Sequence, residues 1–246
     1  MAFVQLDFLS EYLNMHTAVN IALPMPDDAS APMEDIPSLV LLHDAGEDMT
    51  SWQRFAAVER YAHEFGVAVI MPDGALSFYE NMLHGGQYRD YIAKELPQLL
   101  RAYFPLSAKR EKNFIAGYGM GGTGAMKIAF ENPGNYAAAG VFGATHIQEQ
   151  GANENMRSAL RRAYGEDTSA CARMIEENAQ ISANGPVMRI YHACAEENYT
   201  ENIAATRAFF EKTGGSIAYS FEKYAGGDCW AAREKMLARF MEIACR

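Results

Sequence analysis

FIAGYGMGGTGAMKIAF, residues 114–130, governs how this chain is read. An apolar, strand-like run stops at glycine, turns sharply and opens into a helix of small residues. The five residues Gly117-Tyr118-Gly119-Met120-Gly121 have the layout of the strand–turn–helix motif G-x-S-x-G. Such a turn lifts its central side chain clear of the sheet, beside the first amides of the following helix. Here the lifted position is glycine. Dinucleotide-binding loops also join a strand to a helix through glycines. That fingerprint opens the first βα unit of its fold, whereas this turn follows the third core strand. No acidic residue ends the next apolar run, 137–142, either.

On both sides of the turn, short apolar runs alternate with helical patterns. Residues 38–43, 67–71, 113–117, 137–142, 187–193 and 216–221 read as strands, several apolar on consecutive residues as buried parallel strands are. Helical spacing is expected over 52–65, 88–104, 121–131, 154–179, 200–213 and 229–244. The alternation predicts an α/β fold with a doubly wound, mostly parallel sheet and helices on both faces. Two earlier stretches, FVQLDFLS and TAVNIALP, alternate more strictly and suggest an antiparallel edge pair. Residues 22–37, with four prolines and four acids, read as an exposed loop. One domain is expected over 1–246, with the polar stretch 144–185 a candidate helical cap over a pocket.

With 246 residues, 49% hydrophobic and 21% charged, the chain is long enough for one large core. A net charge of −10 argues against nucleic-acid binding. No apolar run reaches membrane-spanning length, and the N-terminus has no signal-peptide pattern, so a cytoplasmic location is expected. Cys171, Cys194, Cys229 and Cys245 are scattered and read as free, mostly buried thiols. The six histidines form no metal-binding pair, and no metal is assigned.

At this point a resemblance becomes specific. LVLLHDAGEDMTSW, VAVIMPDGALSFYENM, YRDYIAKELPQLLRAYFP, KREKNFIAGYGMGGTGAMKIAF, YHACAEENYTEN and AGGDCWAAREK run nearly end to end along the chain. Together they resemble the tributyrin-esterase and S-formylglutathione-hydrolase (esterase D) family of α/β-hydrolases. The resemblance implies an α/β-hydrolase fold, cleavage of small acyl esters or thioesters, no cofactor, and a Ser–Asp–His triad in that chain order. Carried over by position, the serine falls on Gly119, the aspartate on Asn198 and the histidine on Asp228. The oxyanion positions fall on Asp44, where the family has glycine, and on the amide of Met120. His43, Tyr79, Asn81, His84, Tyr118 and Trp230 are the pocket-lining candidates.

Ester cleavage builds negative charge on a carbonyl oxygen, which nearby carboxylates oppose. Loss of the serine alone typically costs roughly six orders of magnitude in rate. The expectation is therefore an esterase-family chain without the family's acyl-enzyme chemistry, whose pocket is kept for binding or regulation of a small molecule. Two alternatives stand beside it. One is an ester or thioester hydrolase working through a non-standard nucleophile or a bound cation; the other is a structural or partner-binding subunit, with homo-oligomerisation open.

For single residues, the bland readings are favoured. Tyr118 packs, Thr123 makes a local hydrogen bond and Cys229 is a buried thiol. His84 is the best candidate for a residual acid–base role. Asp44, Glu47, Asp48 and Asp228 could converge on a cation, although an acidic, solvated rim is the commoner outcome.

Overall fold

The computed structural model describes residues 1–26, 33–146, 154–167 and 169–245. Its centre is an eight-stranded sheet in the order β1-β2-β4-β3-β5-β6-β7-β8. The strands are β1 (Ala2–Ser10), β2 (Met15–Leu23), β3 (Ser38–Leu42), β4 (Ala68–Pro72), β5 (Asn113–Tyr118), β6 (Ala138–Phe142), β7 (Met188–Ala195) and β8 (Ile217–Tyr224). From β4 to β8 every pairing is parallel. The expected antiparallel pair is β1–β2, with Leu6 opposite Val19, and β2 in turn pairs antiparallel with β4. Strands β3 to β6 are buried along their whole length, which is why their sequences are apolar without alternation. β1 alternates because it forms the sheet edge with one face outward.

Helices cover both faces. Against one pack α3 (Tyr88–Asp90), α4 (Leu96–Tyr103), α5 (Met120–Glu131), α6 (Glu154–Tyr164) and α7 (Ala170–Ser182). Against the other lie α1 (Ser51–Phe55), α2 (Val58–Phe65) and α9 (Trp230–Ala244). On α9, Met236, Leu237, Phe240 and Met241 are fully buried, each stabilising the fold by about 1.5–3 kcal/mol through removal from water. The remaining helix, α8 (Glu201–Thr213), is N-capped by Thr200, whose hydroxyl accepts from the Ile203 amide.

Three expected elements differ. The helix expected over 52–65 breaks at Ala56, which is extended, and the Ala57 amide donates to the Glu234 carboxylate on α9 instead. The stretch 154–179 is two helices, separated after Gly165, whose φ of +73° a helix cannot continue through. Ala22 and Leu23, shared between the expected strand TAVNIALP and the expected loop 22–37, end β2 in the core, and Ile36, expected in the exposed loop, is buried against Leu106. Residues 27–32 of that loop lie outside the described residues, as do 147–153 and 168 of the candidate cap. Among the described residues, no helix is long and apolar enough to cross a membrane.

Beneath α5, Lys127 is buried and donates to the Phe78 carbonyl (3.0 Å) and to Glu80 Oε2 (2.8 Å). Glu80 and Glu131 are in turn bridged by Arg89, each at 3.0 Å. This network ties the helix after the glycine turn to the loop 73–80, where Ala75, Phe78 and Tyr79 all have positive φ. Backbone of that kind persists only when its surroundings hold it.

Candidate functional site

β5 delivers the chain to the turn and α5 leaves it. Gly119 sits between them at φ +53°, ψ −116°, a conformation that non-glycine residues adopt only under strain. The turn is closed by hydrogen bonds from the Gly119 amide to the Phe142 carbonyl (2.9 Å) and from the Thr123 amide to the Gly119 carbonyl (3.1 Å). Gly121 makes the tight crossing possible, since a Cβ there would lie 2.4 Å from the Leu42 carbonyl oxygen. The turn is thus an elbow in its full backbone geometry.

What fills the space above it comes from another loop. Asp44 follows β3, and its Oδ1 accepts from the Met120 amide at 2.8 Å and from the Ala45 amide at 2.7 Å. The first of these is the amide directly after the lifted position. The other expected oxyanion position is Asp44 itself, and its amide donates to Glu47 Oε2 at 3.1 Å. The amides at both expected positions are therefore occupied by carboxylates. A Cβ added to Gly119 would lie 2.2 Å from Asp44 Oδ1. Glycine at 119 and aspartate at 44 are two parts of one arrangement. Burial pushes the Asp44 carboxyl above its ordinary pKa, opposed by the Met120 and Ala45 amides and by Arg233.

Arg233, in the first turns of α9, gathers the acids. Its Nε and Nη2 grip Asp228 bidentately, both at 2.8 Å, and Nη1 donates to Glu47 Oε1 at 2.7 Å. Asp44 Oδ2 lies 3.8 Å from Nη2, and the guanidinium carbon sits 3.8 Å above the centre of the Tyr118 ring. Arg233 holds the Asp228 carboxyl below its ordinary pKa, chiefly by hydrogen bonding. Instead of the favoured acidic, solvated rim, Asp44, Glu47 and Asp228 converge, and the cation they surround is an internal arginine. Asp48 does not join it, because its carboxylate caps Thr50 through amide and hydroxyl (2.8 and 2.6 Å). Arg233 was missed by sequence reasoning. The available signal was a basic residue five positions after Asp228, at a helix start.

A cavity of about 390 Å³ opens over the elbow. Gly119, Asn198 and Asp228 all line it, together with Asp44 and Met120. They come from the connections after β5, β7 and β8, and the last two are tied by the Glu197 amide donating to the Gly226 carbonyl. Phe78, Met156, Leu160 and Ile203 supply apolar walls, so α6, from the candidate cap, contributes directly.

Of the six pocket-lining candidates only Tyr118 lines this cavity. His84 is exposed and only its backbone is engaged, by the Arg162 carbonyl, which leaves it no acid–base role there. Tyr79 is fully buried and donates to the His43 carbonyl, while Asn81 accepts the Asp90 amide. His43 is buried below the Asp44 loop; the Gly74 amide donates to Nε2, so Nδ1–H donates to the Asp44 carbonyl. Trp230 packs on Phe55 and Trp52. Cys229, expected to be buried, is exposed at the start of α9. Thr123, expected to bond locally, instead donates to the carbonyl of Thr145, 22 residues on, at 2.8 Å.

The cavity lining contains no serine, cysteine or histidine. Among its hydroxyl-bearing residues, which are Tyr118, Thr123, Thr145 and Thr200, Thr123 donates to the Thr145 carbonyl and Thr200 accepts from the Ile203 amide. Among the described residues, no group of three or more histidine, cysteine or acidic side chains is arranged to hold a metal ion.

Comparison with known proteins agrees with this architecture. The family model described as "Putative esterase" matches residues 10–230. An acetyl esterase of Caldicellulosiruptor saccharolyticus is 27% identical over 260 residues, covering 98% of this chain and 97% of that protein. The substrate-bound structure of FphF, a fluorophosphonate-binding serine hydrolase of Staphylococcus aureus, superposes with a TM-score of 0.86 at 26% identity, covering 100% of this chain and 98% of its own. The apoenzyme of the Staphylococcus aureus S-formylglutathione hydrolase FrmB shares the fold, with a TM-score of 0.82 at 24% identity over 100% and 99% of the two chains.

Proposed function

This chain belongs to the esterase family, and we propose that it is a member without serine-hydrolase chemistry, whose elbow cavity is retained for binding a small molecule. The observation that supports this reading is that the amides of both expected oxyanion positions are already filled by carboxylates, Met120 by Asp44 and Asp44 by Glu47. Serine hydrolases need those amides free for charge that develops only during reaction. Resident carboxylates keep them filled in the ground state and repel a further oxyanion. The nucleophile position carries no side chain, and the position of the base carries an acid locked to Arg233. The apolar walls and the volume of the cavity fit a ligand of the size of a short acyl ester.

A fluorophosphonate probe tests the reading most directly, because it forms a phosphorus–oxygen bond with an activated serine. The expected result is no labelling of this chain, with FphF labelled in parallel as the positive control. Hydrolysis of p-nitrophenyl acetate and butyrate should stay at the buffer rate. Robust turnover without labelling would replace this reading with hydrolysis through a non-standard nucleophile. Labelling would overturn it outright.

A further inference from the structure

β1 lies at the edge of the sheet, and among the described residues its one neighbouring strand is β2. The β1–β2 pairs run from Ala2 opposite Leu23 to Ser10 opposite Met15 without a break, so no bulge bends the strand. Its sequence, AFVQLDFLS, holds no proline, glycine or lysine and a single charge, Asp7. On its inner face Val4, Leu6 and Phe8 pack against the core but are only half-buried. On its outer face Phe3 and Leu9 are 37% and 62% exposed. The opposite edge strand, β8, ends by contrast in Glu222, Lys223 and Tyr224, and Glu222 accepts from Arg239. A long, straight, apolar edge is a template for another strand, and natural sheets normally blunt it with charge, proline or a bulge.

The order of residues along β1 says which strand fits. Read about Leu6 it is close to a palindrome: Ala2 mirrors Ser10, Phe3 mirrors Leu9, Val4 mirrors Phe8 and Gln5 mirrors Asp7. A second β1 laid antiparallel, with Leu6 on the two-fold axis, sets Phe3 against Leu9, Val4 against Phe8 and Leu6 against itself. Asp7 then faces Gln5 of the partner subunit, whose amide can donate to the carboxylate. Neighbouring registers fit worse. A one-residue slip is excluded by the backbone, because the groups free to pair point outward only at every second residue. A two-residue slip sets Asp7 against Asp7 in one direction and against Phe3 in the other. An unrelated extended segment has no reason to match both faces of β1 at once.

We propose that two copies of this chain associate through β1, antiparallel about a two-fold axis at Leu6, which joins their sheets into one. The contact forms about eight to ten backbone hydrogen bonds and covers the half-open flank of Val4, Leu6 and Phe8. It uses the β1 edge of both copies, so the assembly closes at two. The contact is independent of the elbow cavity and of whether that cavity is catalytic.

Sedimentation velocity over a dilution series is the test, paired with hydrogen–deuterium exchange of the β1 amides. A monomer–dimer equilibrium is expected, with every second amide of β1 losing protection as the dimer dissociates. Leu9→Lys should shift the equilibrium toward monomer. Gln5→Asp sets a carboxylate opposite Asp7 at two symmetric places and should weaken the dimer about two- to thirtyfold, whereas Gln5→Lys should strengthen it by a similar factor. Gln5 and Leu9 are exposed, so these variants should fold normally, which circular dichroism checks independently. Mixing Gln5→Asp with the double variant Gln5→Lys, Asp7→Lys should give a heterodimer. The proposal fails if the chain sediments as a monomer throughout or forms assemblies larger than two. It fails equally if the dimer persists unchanged in Leu9→Lys, or if Gln5→Asp and Gln5→Lys shift the equilibrium alike. A monomer with every β1 amide protected would overturn it too, because the edge would then be covered from within the chain.

Discussion

Arg233→Leu is expected to lower the melting temperature by about 6–12 °C at neutral pH, and by far less in acid, once the pH has fallen below 3.8 and through the depressed pKa of Asp228. The arginine is nearly buried and faces three carboxylates, of Asp228, Glu47 and Asp44. Removing the one cation from such a group leaves charges that are neither paired nor fully hydrated. That costs about 3 kcal/mol, at the low end for a buried pair because the acids keep some contact with water. Part of the loss is stacking, since the guanidinium covers the face of Tyr118.

The pH dependence separates the charge effect from the packing effect. Asp228 has a folded pKa below its unfolded value of 3.8, so it contributes stability above that value and loses it as pH falls through the depressed folded one. Leucine at 233 removes this contribution. Asp44 runs the other way. Its carboxyl is already raised by burial, and without the arginine it rises further, so ionising it costs more as pH increases. Both effects make the variant weakest at neutral pH and bring the two proteins together in acid. Chemical denaturation of both at a series of pH values checks this. A destabilisation that stays constant with pH would mean that packing, not charge, is what Arg233 contributes.

How much of this was legible depends on how local each signal is. The sheet was readable because buried parallel strands are apolar on consecutive residues, and the elbow because its glycines are spaced by the sterics of one tight turn. Gly119, Asn198 and Asp228 were found by position along the chain, and each lies on a loop whose place the fold sets. The Asp44 arrangement was half visible. As a letter, Asp44 is a missing glycine in the oxyanion loop; its carboxylate reaching an amide 76 residues away is a fact of tertiary structure. Arg233 was harder still, because its partner Glu47 is 186 residues distant and nothing local marks the pair. His84 failed for the complementary reason. Its loop was placed by resemblance, but the side chain stands exposed, outside the lining of the elbow cavity.

Gly119→Ser alone is expected to destabilise the protein and to yield neither labelling nor turnover. The new Cβ would stand 2.2 Å from Asp44 Oδ1, so the carboxylate must leave the Met120 and Ala45 amides. Losing those charge-assisted hydrogen bonds and placing a side chain at φ +53° together cost about 3–5 kcal/mol. In the double variant Asp44→Gly, Gly119→Ser, the clash is gone, but the amides still lack their carboxylate and the serine still stands at φ +53°, so stability should stay below the parent's. Reactivity should not appear, because the serine still has no base. Adding Asn198→Asp and Asp228→His supplies the missing side chains but exposes a further obstacle. The imidazole introduced at 228 would lie where Arg233 now grips a carboxylate at 2.8 Å, and a neighbouring guanidinium lowers the proton affinity of a base. Turnover of p-nitrophenyl butyrate above the buffer rate is therefore expected only when Arg233→Leu is added as the fifth change. The ordering of these variants is the test. If Gly119→Ser by itself keeps the parent's stability and takes up the fluorophosphonate, Asp44 does not hold the oxyanion site in solution. If the four-change variant matches the five-change one, Arg233 is no obstacle to a base at 228. Chemistry that appears only at the fifth change would mean that the site was closed by two linked devices: a carboxylate on the amides and an arginine on the base.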